Sequence, residues 1–112
     1  MTRYLISFDD GAMTFPEEDL PAVDAAAHAV LREAKDAGVF VFAGGLTDPG
    51  EVSVAATDGS ITDGRSESKA YLGGFMIVDV SSREEALEWA AKTAAACRCA
   101  QEVREIMYDP AV

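Results

Sequence analysis

Histidine occurs once in this chain and cysteine only twice, at Cys97 and Cys99. A four-ligand zinc centre made of Cys and His alone therefore cannot be built within one subunit. Two positions apart in an extended segment, the cysteines would point to opposite sides, which suits neither a disulfide with each other nor a shared metal. They are expected as reduced thiols. The acidic run Glu17-Glu18-Asp19 lacks the spacing of a calcium loop, so no metal is expected, and no cofactor. Basic residues are scarce as well: nine against twenty acidic ones, a formal net charge of −11. Such a field repels a phosphate backbone, which excludes nucleic acid as the expected partner and leaves solubility as the plain reading of the acidity. Long apolar runs are missing too. Stretches such as Val39–Ala43 and Phe75–Val78 are far short of the twenty or so residues that cross a bilayer. No basic segment followed by an apolar one precedes the strand-like stretch at Thr2, so the expectation is a cytoplasmic protein with no membrane partner.

What is present is enough for one core. Hydrophobic residues make up 49% of the 112 positions, and a chain of this length is expected to form a single domain over residues 1–112. Thr2–Phe8 alternates Tyr4, Ile6 and Phe8 against Leu5 and Ser7, the period of a strand. A helix is predicted over Pro21–Ala37, stopped by Gly38, with Val23, Ala27, Val30, Leu31 and Ala34 on one face and Asp24, His28, Arg32 and Lys35 opposite. Val39–Leu46 reads as a second strand and Glu51–Thr57 as a third. Asp58-Gly59 turns the latter into a hairpin with Ser60–Thr62 as the returning arm. Gly74–Val80 is the next strand. Ser82 with Glu85 three residues on forms a capping box for a helix over 83–96, whose inward stripe is expected at Leu87, Ala90, Ala91 and Ala94. Ala100–Tyr108 closes the chain as a strand.

The order β-α-β-β-α-β, with an extra hairpin arm, predicts an α+β, ferredoxin-like fold: an antiparallel sheet with both helices on one face. Nothing in so short a chain covers the other face. Its apolar residues predict a homodimer that clasps the open sheet faces together.

The segment "TDGRSESKAYLGGFMIVDVSSREEALEWAAK" resembles the YCII-related family in its DGPF branch. There an Asp-Gly-Pro-Phe turn leads through Glu-x-Lys to Leu-Gly-Gly, a strand and a "DEALEWA"-like helix. "AGVFVFAGGL" and "EVREI" resemble that branch's second and last strands. The similarity runs from Tyr4 to Met107. It implies a dimeric α+β barrel, small members mostly of unassigned function, a few enzymes acting on chlorinated or hydroxylated aromatics through a histidine and an aspartate, and some accessory domains. Arg65-Ser66 stands here where Pro-Phe is usual, and the family's histidine maps near Ala27, one residue before His28.

Asp63, Glu67 and His28 are the candidate catalytic residues, the carboxylates at a pocket rim and the imidazole oriented by Asp24 as a general base. The plain alternative has Asp63 capping its own turn, Glu67 pairing with Lys69, and His28 as a solvated ion-paired side chain. Lys69, Glu102 and Arg104, with the backbone at Gly64 and Gly73, are the candidate ligand-binding positions. Equally, Glu102 and Arg104 would pair across a dimer seam, Gly64 would supply a positive φ, and Gly73-Gly74 a bulge. Trp89 is expected in the core or at an interface. Three functions stay open. The first is a homodimer binding a small aromatic or carboxylate ligand, the second a cofactor-free lyase or isomerase, and the third a regulatory or accessory interaction domain.

Overall fold

The structure, a computed structural model, describes residues 1–112. Six strands and two helices follow one another: β1 (Thr2–Asp9), α1 (Leu20–Asp36), β2 (Phe40–Gly45), β3 (Ser53–Ala55), β4 (Ile61–Asp63), β5 (Leu72–Val80), α2 (Arg83–Cys97) and β6 (Glu102–Glu105). Four strands pair in the order β2-β5-β1-β6, every neighbour antiparallel. β3 and β4 form a separate hairpin. This is the expected ferredoxin-like α+β arrangement.

The strand period decides which residues meet the helices. In β5, Gly74, Met76, Val78 and Val80 are buried, while Phe75, Ile77 and Asp79 between them are only partly covered. Tyr4 pairs with Val78 and Ile6 with Met76, so β1 aligns its own apolar row beside that of β5. Ala34 and Val39 from the α1 end, and Ala86, Trp89 and Ala90 from α2, complete the core over this row. Small residues at Ala34, Ala86 and Ala90 let the helices lie close to the sheet. An ion pair of Lys92 with Glu33 links the two helices at the surface, and one of Arg98 with Asp19, at 2.8 Å, ties the residue after α2 to the residue before α1.

The opposite sheet face carries Leu5, Ser7, Phe75 and Ile77, with Phe42 paired to Ile77 and 59% exposed. The molecule is 19 Å across its thinnest axis, room for one sheet and one layer of helices.

Several local expectations are corrected. The inward stripe of α2 is Ala86, Trp89, Ala90 and Cys97, whereas Leu87 is 43% exposed and Ala91 faces solvent. The helix is rotated to bury its one indole rather than its one leucine, since the ring removes more apolar area from water. The last strand ends at Glu105, and Met107 and Tyr108 are exposed. Around Asp58-Gly59 the hairpin holds as expected: Asp58 accepts the Ser60 N–H at 2.9 Å and Gly59 has φ 89°. Its third strand is shorter than Glu51–Thr57, because Pro49–Glu51 forms a 3-10 turn. Nor is the cysteine segment extended. Cys97 ends α2 and Arg98 takes a left-handed conformation, φ 57°.

Candidate functional site

A cavity of about 410 Å³ lies on the helical side of the sheet, where α1 and α2 part company toward the C-terminal ends of β1 and β2. Its size falls in the range of small-molecule sites. Phe8 and Met76 of the sheet, Met13 of the loop after β1, and Ala27, Val30 and Leu31 of α1 give it apolar walls. Ala43, Gly44 and Gly45 of β2 and Gly74 of β5 form the floor. Gly45 and Gly74 are register partners, so two missing side chains fall side by side. A Cβ at Gly45 would meet nothing within 4 Å, so the glycine leaves space that a side chain would fill. Gly74 has another cause: the Phe8 ring lies over it, 2.7 Å from where its Cβ would stand.

The polar side chains of the lining are Asp24 and His28 from α1, Thr93 and Cys97 from α2, and Gln101 ahead of β6. Neither lysine nor arginine is among them. His28 is positioned by its own helix. Its Nδ1 lies 2.9 Å from the Asp24 carbonyl oxygen and 3.4 Å from Asp24 Oδ2. A carbonyl can only accept, so Nδ1 carries the proton and Nε2 is the free nitrogen of the neutral ring. Thr93 spends its hydroxyl proton on the Trp89 carbonyl at 2.8 Å. Burial pushes the Cys97 thiol above its ordinary value, with the neighbouring Cys99 adding to the shift. That keeps Cys97 a thiol and a weak nucleophile.

The other sequence-derived positions lie elsewhere. Asp63 ends β4 and accepts a hydrogen bond from the Ser53 hydroxyl across the hairpin, instead of capping its own turn. Gly64 has φ 103° and donates its N–H to the Val52 carbonyl at 2.9 Å. Glu67 and Lys69 do not pair. Lys69 and Arg65 stand over the Tyr71 ring, at 5.2 Å and 5.3 Å from its centroid, and the Tyr71 hydroxyl accepts the Ser66 N–H. Tyr71 thus organises the segment from Arg65 to Lys69. Gly73 is a β-bulge: Phe8 pairs with Gly74 and Asp9 with Leu72, leaving Gly73 between them. It touches the back of Phe8 without reaching the cavity. Glu102 and Arg104 pair with Ser7 and Leu5 on the open sheet face, remote from the helical side, and form no ion pair within the chain. Of the eight candidates only His28 lines the cavity.

The glycine floor, the bulge beside it and the helix after β5 are the parts of the chain that carried the resemblance, and the comparison with known families now decides it. The family model of the YCII-related domain matches residues 2–108. The chain belongs to the YCII-related family. No curated protein matches it. Within this YCII-related domain, sequence reasoning missed Phe8, Met13, Gly45, Thr93, Cys97 and Gln101 as lining residues. One signal was available: Gly44-Gly45 and Gly73-Gly74 occur at matching ends of adjacent strands, and paired glycines remove side chains from one patch of sheet.

Proposed function

We propose that this protein is a small-molecule binder of the DGPF branch of the YCII-related family, with residues 1–112 acting as one unit in the cytoplasm and pairing as a homodimer through the open sheet faces, closed into an α+β barrel. Its ligand is a small, largely apolar molecule, aromatic in the first instance, held between α1, α2 and the glycine floor. The observation that carries this reading is the cavity itself, walled by Phe8, Met76 and Met13, floored by Gly45 and Gly74, and bordered by one ordered imidazole. A carboxylate ligand has less support, because neither lysine nor arginine lines the space. A ligand that binds only the folded protein raises its melting temperature. A thermal-shift screen of small phenols and other aromatics is expected to give hits that Gly45→Leu abolishes by filling the floor. Hits that survive this substitution would place the ligand elsewhere.

A second reading, a cofactor-free lyase or isomerase, is favoured by the His28 geometry: with Nδ1–H engaged by Asp24, Nε2 is held as a proton acceptor beside the ligand space. His28→Ala and His28→Gln separate the two readings. A binder keeps its affinity for aromatics within a few-fold of native, whereas an enzyme of this kind loses roughly 10²–10⁴-fold in turnover.

A further inference from the structure

We infer that the cavity selects a cation: its ligand is a hydrophobic amine, an apolar body carrying one ammonium group. This rests on the reading of the cavity as a ligand site and specifies its chemistry. The free hydrogen-bonding functions along the lining are acceptors almost throughout. Asp24 presents a carboxylate. His28 has committed its Nδ1 proton to Asp24, so in its neutral form Nε2 is an acceptor. Thr93 has given its proton to the Trp89 carbonyl. Gln101 turns its amide nitrogen toward the Cys99 carbonyl and sulfur, at 3.5 Å each, which leaves the amide oxygen free. An ammonium group has three protons to donate and nothing to accept, so it matches such a set, while a carboxylate, which only accepts, finds no strong side-chain donor. The Phe8 ring in the wall adds a face that attracts a cation. The whole-molecule field points the same way, since a net charge of −11 draws cations in and turns anions back.

Three probes of one shape test this: 2-phenylethylamine, 2-phenylethanol and 3-phenylpropionate, titrated into the full chain by calorimetry at low ionic strength, with backbone amide shifts followed in parallel. The amine is expected to bind roughly tenfold more tightly than the alcohol, the carboxylate more weakly than either, with shifts at Gly45 and His28. Asp24→Asn brings the amine down to the affinity of the alcohol, and added salt narrows the gap in the native protein. A carboxylate that binds as well as the amine, with shifts at Gly45 and His28, overturns the cation selectivity and leaves the cavity standing as a ligand site. Absence of binding by all three, or shifts confined to other parts of the fold, overturns the cavity reading and this inference with it. The shift map is read on native protein, so it decides even if a variant fails to fold.

Discussion

Gly45 and Gly74 are register partners, yet they answer to different demands. At Gly74 the Phe8 ring occupies the place of a side chain, and even a methyl group would stand 2.7 Å from it. Gly74→Ala must push the ring off the sheet, and is expected to destabilise by about 1–3 kcal/mol, as overpacking of a core does. Gly45→Ala meets nothing and should change the melting temperature little, while it narrows the ligand space. Thermal melts of the two single variants check the contrast; equal losses would mean that Phe8 has another place to go. Cys97 supplies a pH signature. Its thiol is raised above the ordinary 9.0, first by burial and then by Cys99. A group whose folded pKa is raised lends stability that is complete below the unfolded value and fades as pH climbs through the folded one. Native protein should therefore lose melting temperature above about pH 9 more steeply than Cys97→Ala does. Parallel slopes for the two proteins would count against a desolvated thiol.

α2 shows how far an element can be read from its letters. Its start is local chemistry and was legible: the Ser82 hydroxyl accepts the Glu85 N–H at 3.1 Å. The Glu85 carboxylate reaches one residue further than a reciprocal box requires, to the N–H and hydroxyl of Ser81 at 3.0 Å. Ser82→Ala is expected to cost about 1 kcal/mol, visible as a drop of several degrees in melting temperature, and Ser82→Asp to restore most of it. The rotation of the helix was not legible. Alanines stand at 86, 90, 91, 94, 95 and 96, so several faces look alike, and the choice between Leu87 and Trp89 is made by the sheet beneath them. β5, by contrast, states its own facing, because its period of two permits a single assignment of inside and outside. The cavity falls between these cases. It depends on where two helices separate and on which glycines become register partners, and both are properties of elements together. His28 illustrates the point: a polar residue one step past the apolar stripe of α1 borders a cavity because that edge of the helix overhangs the glycine floor.

At the scale of the whole molecule the unanswered demand is the open side of the sheet. Ser7 is buried on that side while Leu5, Phe75 and Ile77 remain half-covered and Phe42 is 59% exposed. Asp79 adds a polar demand: one of its carboxylate oxygens is shielded from water and has no hydrogen-bond partner. A buried acceptor left alone costs about 1–3 kcal/mol. Arg3, its register partner on β1, is exposed and forms no ion pair with it. A second copy laid face to face would cover the apolar row and bring arginines, Arg3 or Arg104, against that acidic side chain, and specific interfaces of this kind remove about 800 Å² per partner. The sequence pattern already implied an uncovered face, since two helices cover one side only; what it could not supply was the orphaned oxygen, which depends on how neighbouring strands shield it. If the paired sheet is the natural state, native protein should sediment at twice the chain mass at micromolar concentration. Ile77→Lys, which places a charge in the middle of the apolar row, should yield the single-chain mass with the helical spectrum intact. Arg32→Glu, on the solvent side of α1, should leave the larger species unchanged. A native protein that sediments as a single chain would remove the pairing, and with it the account of Asp79, while the cavity on the far side of the sheet would be untouched.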